Sequence, residues 1–223
     1  MSRVRILNVF QIPLPTPPPR DAITLSFLDT LWIGLPPVQL LLFYSDATVP
    51  FSSILESLKS SLSRTLPLFY PFAGKLTHIP STGAISIDCS KDTTGAGVTF
   101  IEAEADGEIH RLGGGGEQDL LPVLDGRELP APVLAVQVTR LEGKGLALGL
   151  AAHHAVVDGK AVWKFLEAWA ASCRRGGDAP LACSVAAHDR EVIRHRRGDE
   201  IARRFVQQLA PALPIVRNLH ISP

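Results

Sequence analysis

The residues best suited to chemistry lie in one short stretch, Ala151-Ala152-His153-His154-Ala155-Val156-Val157-Asp158-Gly159. Two adjacent imidazoles follow an apolar run, and an aspartate and a glycine precede the next helical pattern. Imidazole is the side chain whose ordinary pKa lies nearest neutrality, so it suits proton transfer at a hydroxyl or amine. A histidine that activates an acceptor hydroxyl needs neither a metal nor a protein nucleophile. The same spacing has plainer readings. A lone histidine is most often structural, and Asp158 has the type and place of a helix N-cap. Paired histidines are also half a metal site, but no H-E-x-x-H string or further ligand cluster accompanies them. Spacing alone leaves the catalytic and structural readings open.

The elements around this stretch must present it. Residues 146–153 and 133–141 have strand character, and the short turn Glu142-Gly143-Lys144-Gly145 makes them a hairpin. A helix is predicted over 159–172, with Val162, Phe165, Leu166 and Trp169 as its apolar stripe and Gly176-Gly177 as its end. Another is predicted over 53–66, opened by a Ser53/Glu56 capping box, carrying Leu55, Leu58, Leu62 and Leu66, and stopped by Pro67 and Pro71. A third, over 200–209, is expected to bury Ile201, Phe205 and Leu209. An opening strand is predicted at 3–11, and short strands at 74–79, 84–88 and 97–102. The continuous apolar run 38–44 reads as a strand covered on both faces. The prolines between Pro13 and Pro19 make an extended connector. Gly113–Gly116 reads as a mobile surface loop, because Glu117, Gln118 and Asp119 follow it and would repel a phosphate. Interleaved strands and helices imply an α/β domain built on a mixed β-sheet with flanking helices.

Composition narrows the function classes. With 46 % apolar and 20 % charged residues the chain is globular rather than disordered. Lys plus Arg and Asp plus Glu both total 22, so no overall field draws it to nucleic acid or an anionic membrane. The Arg194–Arg197 cluster with His195 is a candidate anion site, although a solvated helix end explains it more simply. Cys89, Cys173 and Cys183 are scattered and form no C-x-x-C pair, which suits reduced thiols in the cytoplasm. No stretch suits a signal peptide, and the apolar run 35–44 is too short to cross a bilayer.

Three segments carry a resemblance. His154-Ala155-Val156-Val157-Asp158-Gly159 matches the H-x-x-x-D-G motif of the BAHD family of plant acyl-CoA-dependent acyltransferases, and the doubled histidine is shared with peptide-synthetase condensation domains. Leu25-Ser26-Phe27-Leu28-Asp29, through Trp32 to Pro36-Pro37, is similar to the family's early "L-S-x-x-D…W" stretch. The segment from Leu58 through Leu66 to Tyr70-Pro71-Phe72-Ala73-Gly74-Lys75-Leu76 is similar to its "L-K-x-S-L-S-x-x-L…Y-P-x-A-G-x-L" stretch. Asp189-Arg190 lies where the malonyltransferase-like branch, which acylates anthocyanins and phenolic glucosides, often carries such a pair. The family's second motif, D-F-G-W-G, is absent from this chain, so the resemblance is to the N-terminal half alone.

The resemblance implies a chloramphenicol acetyltransferase-like N-terminal domain over 1–187, with 188–223 a helical segment leading toward a second domain. It implies His154 as general base and Asp158 as a structural residue supporting the motif loop, commonly through an arginine. His153 would shape the loop, and Gly159 would relieve crowding at the turn. His154 should face a groove and Asp158 turn away from it. The donor would be acyl-CoA, a co-substrate rather than a bound cofactor. The acceptor would be a hydroxyl or amine of a phenolic or glycosylated plant metabolite, and neither metal, nucleic acid nor membrane takes part. Full-length relatives would be monomers, and a half-length chain is expected to self-associate and to transfer acyl groups poorly or not at all. Two other classes stay open: a condensation-type domain using a carrier-protein thioester, and a non-catalytic ligand- or protein-binding relative.

Overall fold

The computed structural model describes residues 4–45, 47–106, 117–176, 189–213 and 215–216. Among these described residues are nine strands and four α-helices. The strands are β1 (Val4–Ile12), β2 (Ala22–Thr24), β3 (Val38–Tyr44), β4 (Lys75–Ile79), β5 (Ala84–Asp88), β6 (Val98–Ala105), β7 (Ala131–Pro132), β8 (Leu134–Arg140) and β9 (Leu146–Ala152). The helices are α1 (Phe51–Thr65), α2 (Lys91–Ala96), α3 (Gly159–Arg175) and α4 (Gly198–Leu209). The main sheet has the order β1-β6-β8-β9-β3, and a smaller one has the order β2-β5-β4-β7. Only the β6–β8 pair of the main sheet is parallel, so the sheet is mixed, as the interleaved pattern implied.

The hairpin β8–β9 is the centre of the main sheet, and its sequence alternates by size. Val136, Val138, Leu148 and Leu150 point to one face, where Leu55 and Leu62 of α1 and Phe165 and Trp169 of α3 join the same core. Phe165 is fully buried and meets Phe69 edge-on, at 5.4 Å between centroids and 81° between planes. Trp169 donates its indole N–H to the Leu58 carbonyl at 3.1 Å and to the Ser61 hydroxyl at 2.9 Å, so its polar edge is satisfied inside the core. The opposite face carries Ala135, Ala147, Gly149 and Ala151. Such small residues let the segment around Leu120 and Leu124 lie close against the strands. At Gly149 a Cβ would stand 2.3 Å from the Leu120 carbonyl oxygen, closer than any side chain permits.

Three local expectations need correction. The run 38–44 is a strand, but it is the edge of the sheet, paired with β9 and with no other described strand; Phe43 and Tyr44 remain exposed. A continuous apolar run therefore does not mark a doubly covered strand here. Helix α1 begins at Phe51 with Pro50 in the N-cap position, so Ser53 lies inside the first turn and forms no capping box. The α-helix ends where expected, with Leu66 as its C-cap just before Pro67, and the chain continues in tighter 3-10 turns over Leu66–Ala73 that include both Pro67 and Pro71. On α4 only Val206 is fully buried, while Ile201, Phe205 and Leu209 are half-buried. The expected loop at Gly113–Gly116 lies outside the described residues.

Candidate active site

Strand β9 delivers the histidine pair between two partners. Ala152, its last residue, faces Leu134 of β8 on one side and Val38 of β3 on the other. The next residue still belongs to the sheet: the His153 N–H donates to the Val133 carbonyl at 2.8 Å. The chain then turns, with the N–H groups of Val156 and Val157 both donating to the His153 carbonyl, at 2.9 and 3.2 Å. Helix α3 starts directly afterwards. The Asp158 side chain accepts from the Ala161 N–H at 2.7 Å, a side-chain N-cap. A strand end, a tight turn and a capped helix thus fix the backbone on both sides of His154.

The two imidazoles have different fates. His153 is 2 % exposed, and its Nδ1 accepts from the Ala155 N–H at 3.2 Å. Burial, with a smaller contribution from neighbouring His154, pushes its pKa down to about 4. It is therefore neutral near pH 7 and serves the turn. Gly126 closes over it: a Cβ there would lie 3.0 Å from His153 Nε2. The Gly126 loop is held by its neighbours, since Arg127 donates to Asp125 through Nε at 2.9 Å and Nη2 at 2.7 Å. Those bonds, and a further one from the Arg127 N–H, hold the Asp125 carboxyl down at about 2.

His154 points the other way and is half-buried. Its ring stacks on the indole of Trp32, with centroids 4.9 Å apart and planes 8° from parallel. Trp32 ends the 3-10 turn Asp29–Trp32, and residues 33–37 lead from it into β3, whose first residue pairs with Ala152. The early motif and the histidine motif are therefore neighbours because β3 and β9 are neighbours. Asp29 opens this turn and is buried. Its Oδ2 accepts from the Ser26 N–H at 2.9 Å and the Ser26 hydroxyl at 2.7 Å, and its Oδ1 accepts from Arg190 at 2.7 Å.

Asp158 is exposed and engaged with backbone rather than with an arginine of the described chain. Gly159 relieves no crowding, since a Cβ at that position would meet nothing within 4 Å. Reading the sequence by residue type singled out His153, His154 and Asp158 but missed Trp32 and Asp29 as site residues. Their only signal was the shared "L-S-x-x-D…W" string. A cavity of about 660 Å³ opens elsewhere, between α1, α3 and edge strand β3, lined by Leu42, Tyr44, Val49, Leu58, Trp163 and Trp169 among others; His154 does not line it. Around Arg194–Arg197, Arg197 and Arg204 pair with Glu200 at 2.8 and 3.0 Å, on an exposed helix start. Among the described residues no group of three His, Cys, Asp or Glu side chains could hold a metal ion, and no helix is long and apolar enough to cross a membrane.

Residues 12–215 match the model of the Transferase family, and the chain belongs to that family, the BAHD acyltransferases. It is 37 % identical over 207 residues to the malonyl-CoA:anthocyanidin 5-O-glucoside-6''-O-malonyltransferase of Arabidopsis thaliana, covering 89 % of this chain and 45 % of the relative. It is 34 % identical to the agmatine coumaroyltransferase of the same plant, covering 77 % of this chain and 39 % of the relative. The chain thus spans a little under half the length of the curated relatives it matches. Among solved structures, vinorine synthase superposes with a TM-score of 0.68 at 24 % identity, over 85 % of this chain and 47 % of that one, which shows the shared fold.

Proposed function

We propose that this chain is the N-terminal half of an acyltransferase that moves an acyl group from acyl-CoA to a hydroxyl or amine of a phenolic or glycosylated plant metabolite. The observation that carries the reading is the division between the two histidines: His153 is sealed and neutral, while His154 reaches the surface at the strand end. His154 is the general base. It takes the proton of the acceptor, whose oxygen or nitrogen attacks the thioester carbon. The tetrahedral oxyanion then collapses, expels the CoA thiolate, and the proton passes to the sulfur. Base assistance of this kind contributes roughly 10²–10⁴-fold. Asp158 supports the motif loop by capping α3 and does not contact the base.

The names of the relatives support a malonyl or coumaroyl group as the one transferred, and the malonyl-CoA donor named for one of them favours this reading over a carrier-protein thioester. Residues 1–187 form the N-terminal acyltransferase domain in this proposal, and 188–223 lead toward a second half that completes the donor channel. The working compartment is the cytoplasm, and the substrates are small molecules rather than nucleic acid or membrane. Placement of thioester, acceptor and imidazole together is worth about 7–11 kcal/mol of barrier, and one wall of a two-walled site cannot provide it. The test compares three proteins with malonyl-CoA and a phenolic glucoside: this chain, the chain extended by a family C-terminal half, and the extended form with His154→Ala. The expected order is little, robust and little turnover. Equal turnover by the last two removes His154 from the mechanism, and robust turnover by the short chain removes the need for a second half.

A further inference from the structure

One side chain ties together the two backbone segments that meet at His154. Arg190 donates through Nη1 to Asp29 Oδ1 at 2.7 Å and through Nη2 to the Val156 carbonyl at 2.6 Å. Asp29 opens the 3-10 turn that ends in Trp32, and Val156 lies in the turn between His154 and the α3 cap. The ion pair is largely sheltered, with side-chain exposures of 26 % for Arg190 and 12 % for Asp29. Both ends are fixed. Asp29 is held by two bonds from Ser26, and the 153–157 turn by the His153 carbonyl. A planar guanidinium presents donors in a rigid fork, so it sets the separation of its two acceptors as an ammonium would not.

We infer that Arg190 is a positioning residue for His154: by bridging Asp29 and the Val156 carbonyl it holds the Trp32 indole and the His154 imidazole in their parallel stack. No direct contact with substrate is required. Arg190 comes from a segment 161 residues away from Asp29 in sequence, so the bridge requires the chain beyond α3 to return to the site. The catalytic consequence rests on the general-base role proposed above, whereas the geometric claim does not.

The experiment separates the two. The ring protons of His154 are followed by NMR in this chain labelled at histidine, with His154→Gln to assign them and Trp32→Leu to supply the unstacked reference. The indole ring current should shift the His154 protons upfield in the parent protein. In Arg190→Ala they should move most of the way to the Trp32→Leu position while the remaining spectrum stays dispersed. Arg190→Lys, which can reach one acceptor but not span both, should fall between. Should Arg190→Ala fail to fold, Arg190→Lys and Asp29→Asn carry the same comparison, each removing one anchor. Unchanged His154 shifts in the folded variants overturn the inference. In an active extended form, Arg190→Ala is expected to lower kcat by up to about 10²-fold, with a smaller change in KM. Absence of acyl transfer in the extended form with Arg190 intact would count against the proposed function and leave the NMR result standing.

Discussion

Burial of His153 should make the stability of this protein depend on pH in a way that one substitution removes. The folded-state pKa is pushed down to about 4, while an unfolded histidine titrates near its ordinary 6.5. Between those values the unfolded chain binds a proton that the folded chain refuses. Stability from this group is therefore fully present above about pH 6.5 and falls as the pH drops toward 4, below which the loss levels off. The difference of about 2.5 units corresponds to about 3 kcal/mol at 1.36 kcal/mol per unit, an order-of-magnitude figure. Other groups also titrate over this range, so the contrast must be made against a variant. His153→Asn places an amide oxygen near the position of Nδ1, keeps an acceptor for the Ala155 N–H, and cannot be protonated there. Urea unfolding between pH 4 and 7.5 gives both curves. Subtracting one from the other should leave a slope approaching one proton between pH 4.5 and 6. The variant will be less stable than the parent at pH 7.5, through lost packing, and the gap should narrow or close toward pH 4. Parallel curves across the whole range would refute the reasoning.

Three further outcomes follow from the fold. Replacing Asp158 with alanine removes the cap of α3 and should cost about 1 kcal/mol in unfolding free energy, whereas asparagine should retain most of it. Gly149→Ala drives a Cβ into the Leu120 carbonyl and should destabilise by roughly 1–3 kcal/mol, read as a lower denaturation midpoint with an unchanged urea slope. Burial, and the nearby Asp88 charge, push the Cys89 thiol up to about 12, so an alkylating reagent at pH 8 should modify Cys89 only after unfolding; mass spectrometry of the native protein showing rapid alkylation there would contradict its burial.

The strand–turn–helix segment was legible because every signal in it is local. An apolar strand, two histidines and an aspartate at the N-cap position lie within one stretch, and β8, β9 and α3 form where their patterns place them. Apolar periodicity likewise located α1, but not its first residue, since Pro50 rather than Ser53 occupies the cap position. Apolarity could not distinguish an edge strand from an inner one at β3. The pattern records that a face is greasy, not which neighbour covers it, and neighbours are assigned by topology.

The sequence by itself determined the chemistry on offer and the family: a histidine pair, its aspartate, and strings shared with acyltransferases. Motif resemblance pointed to His154 over His153, but only tertiary structure shows how the two differ in burial. His153 and His154 are the same residue type, side by side, yet the Gly126 loop seals one and the turn after β9 leaves the other half-buried against Trp32. The Trp32 stack and the Arg190 bridge depend on β3 pairing with β9 and on the chain after α3 returning to the 29–32 turn. Such contacts join residues far apart in the chain, where no local periodicity or spacing can encode them. They exist only once burial of the shared core has brought the separate strands and turns together.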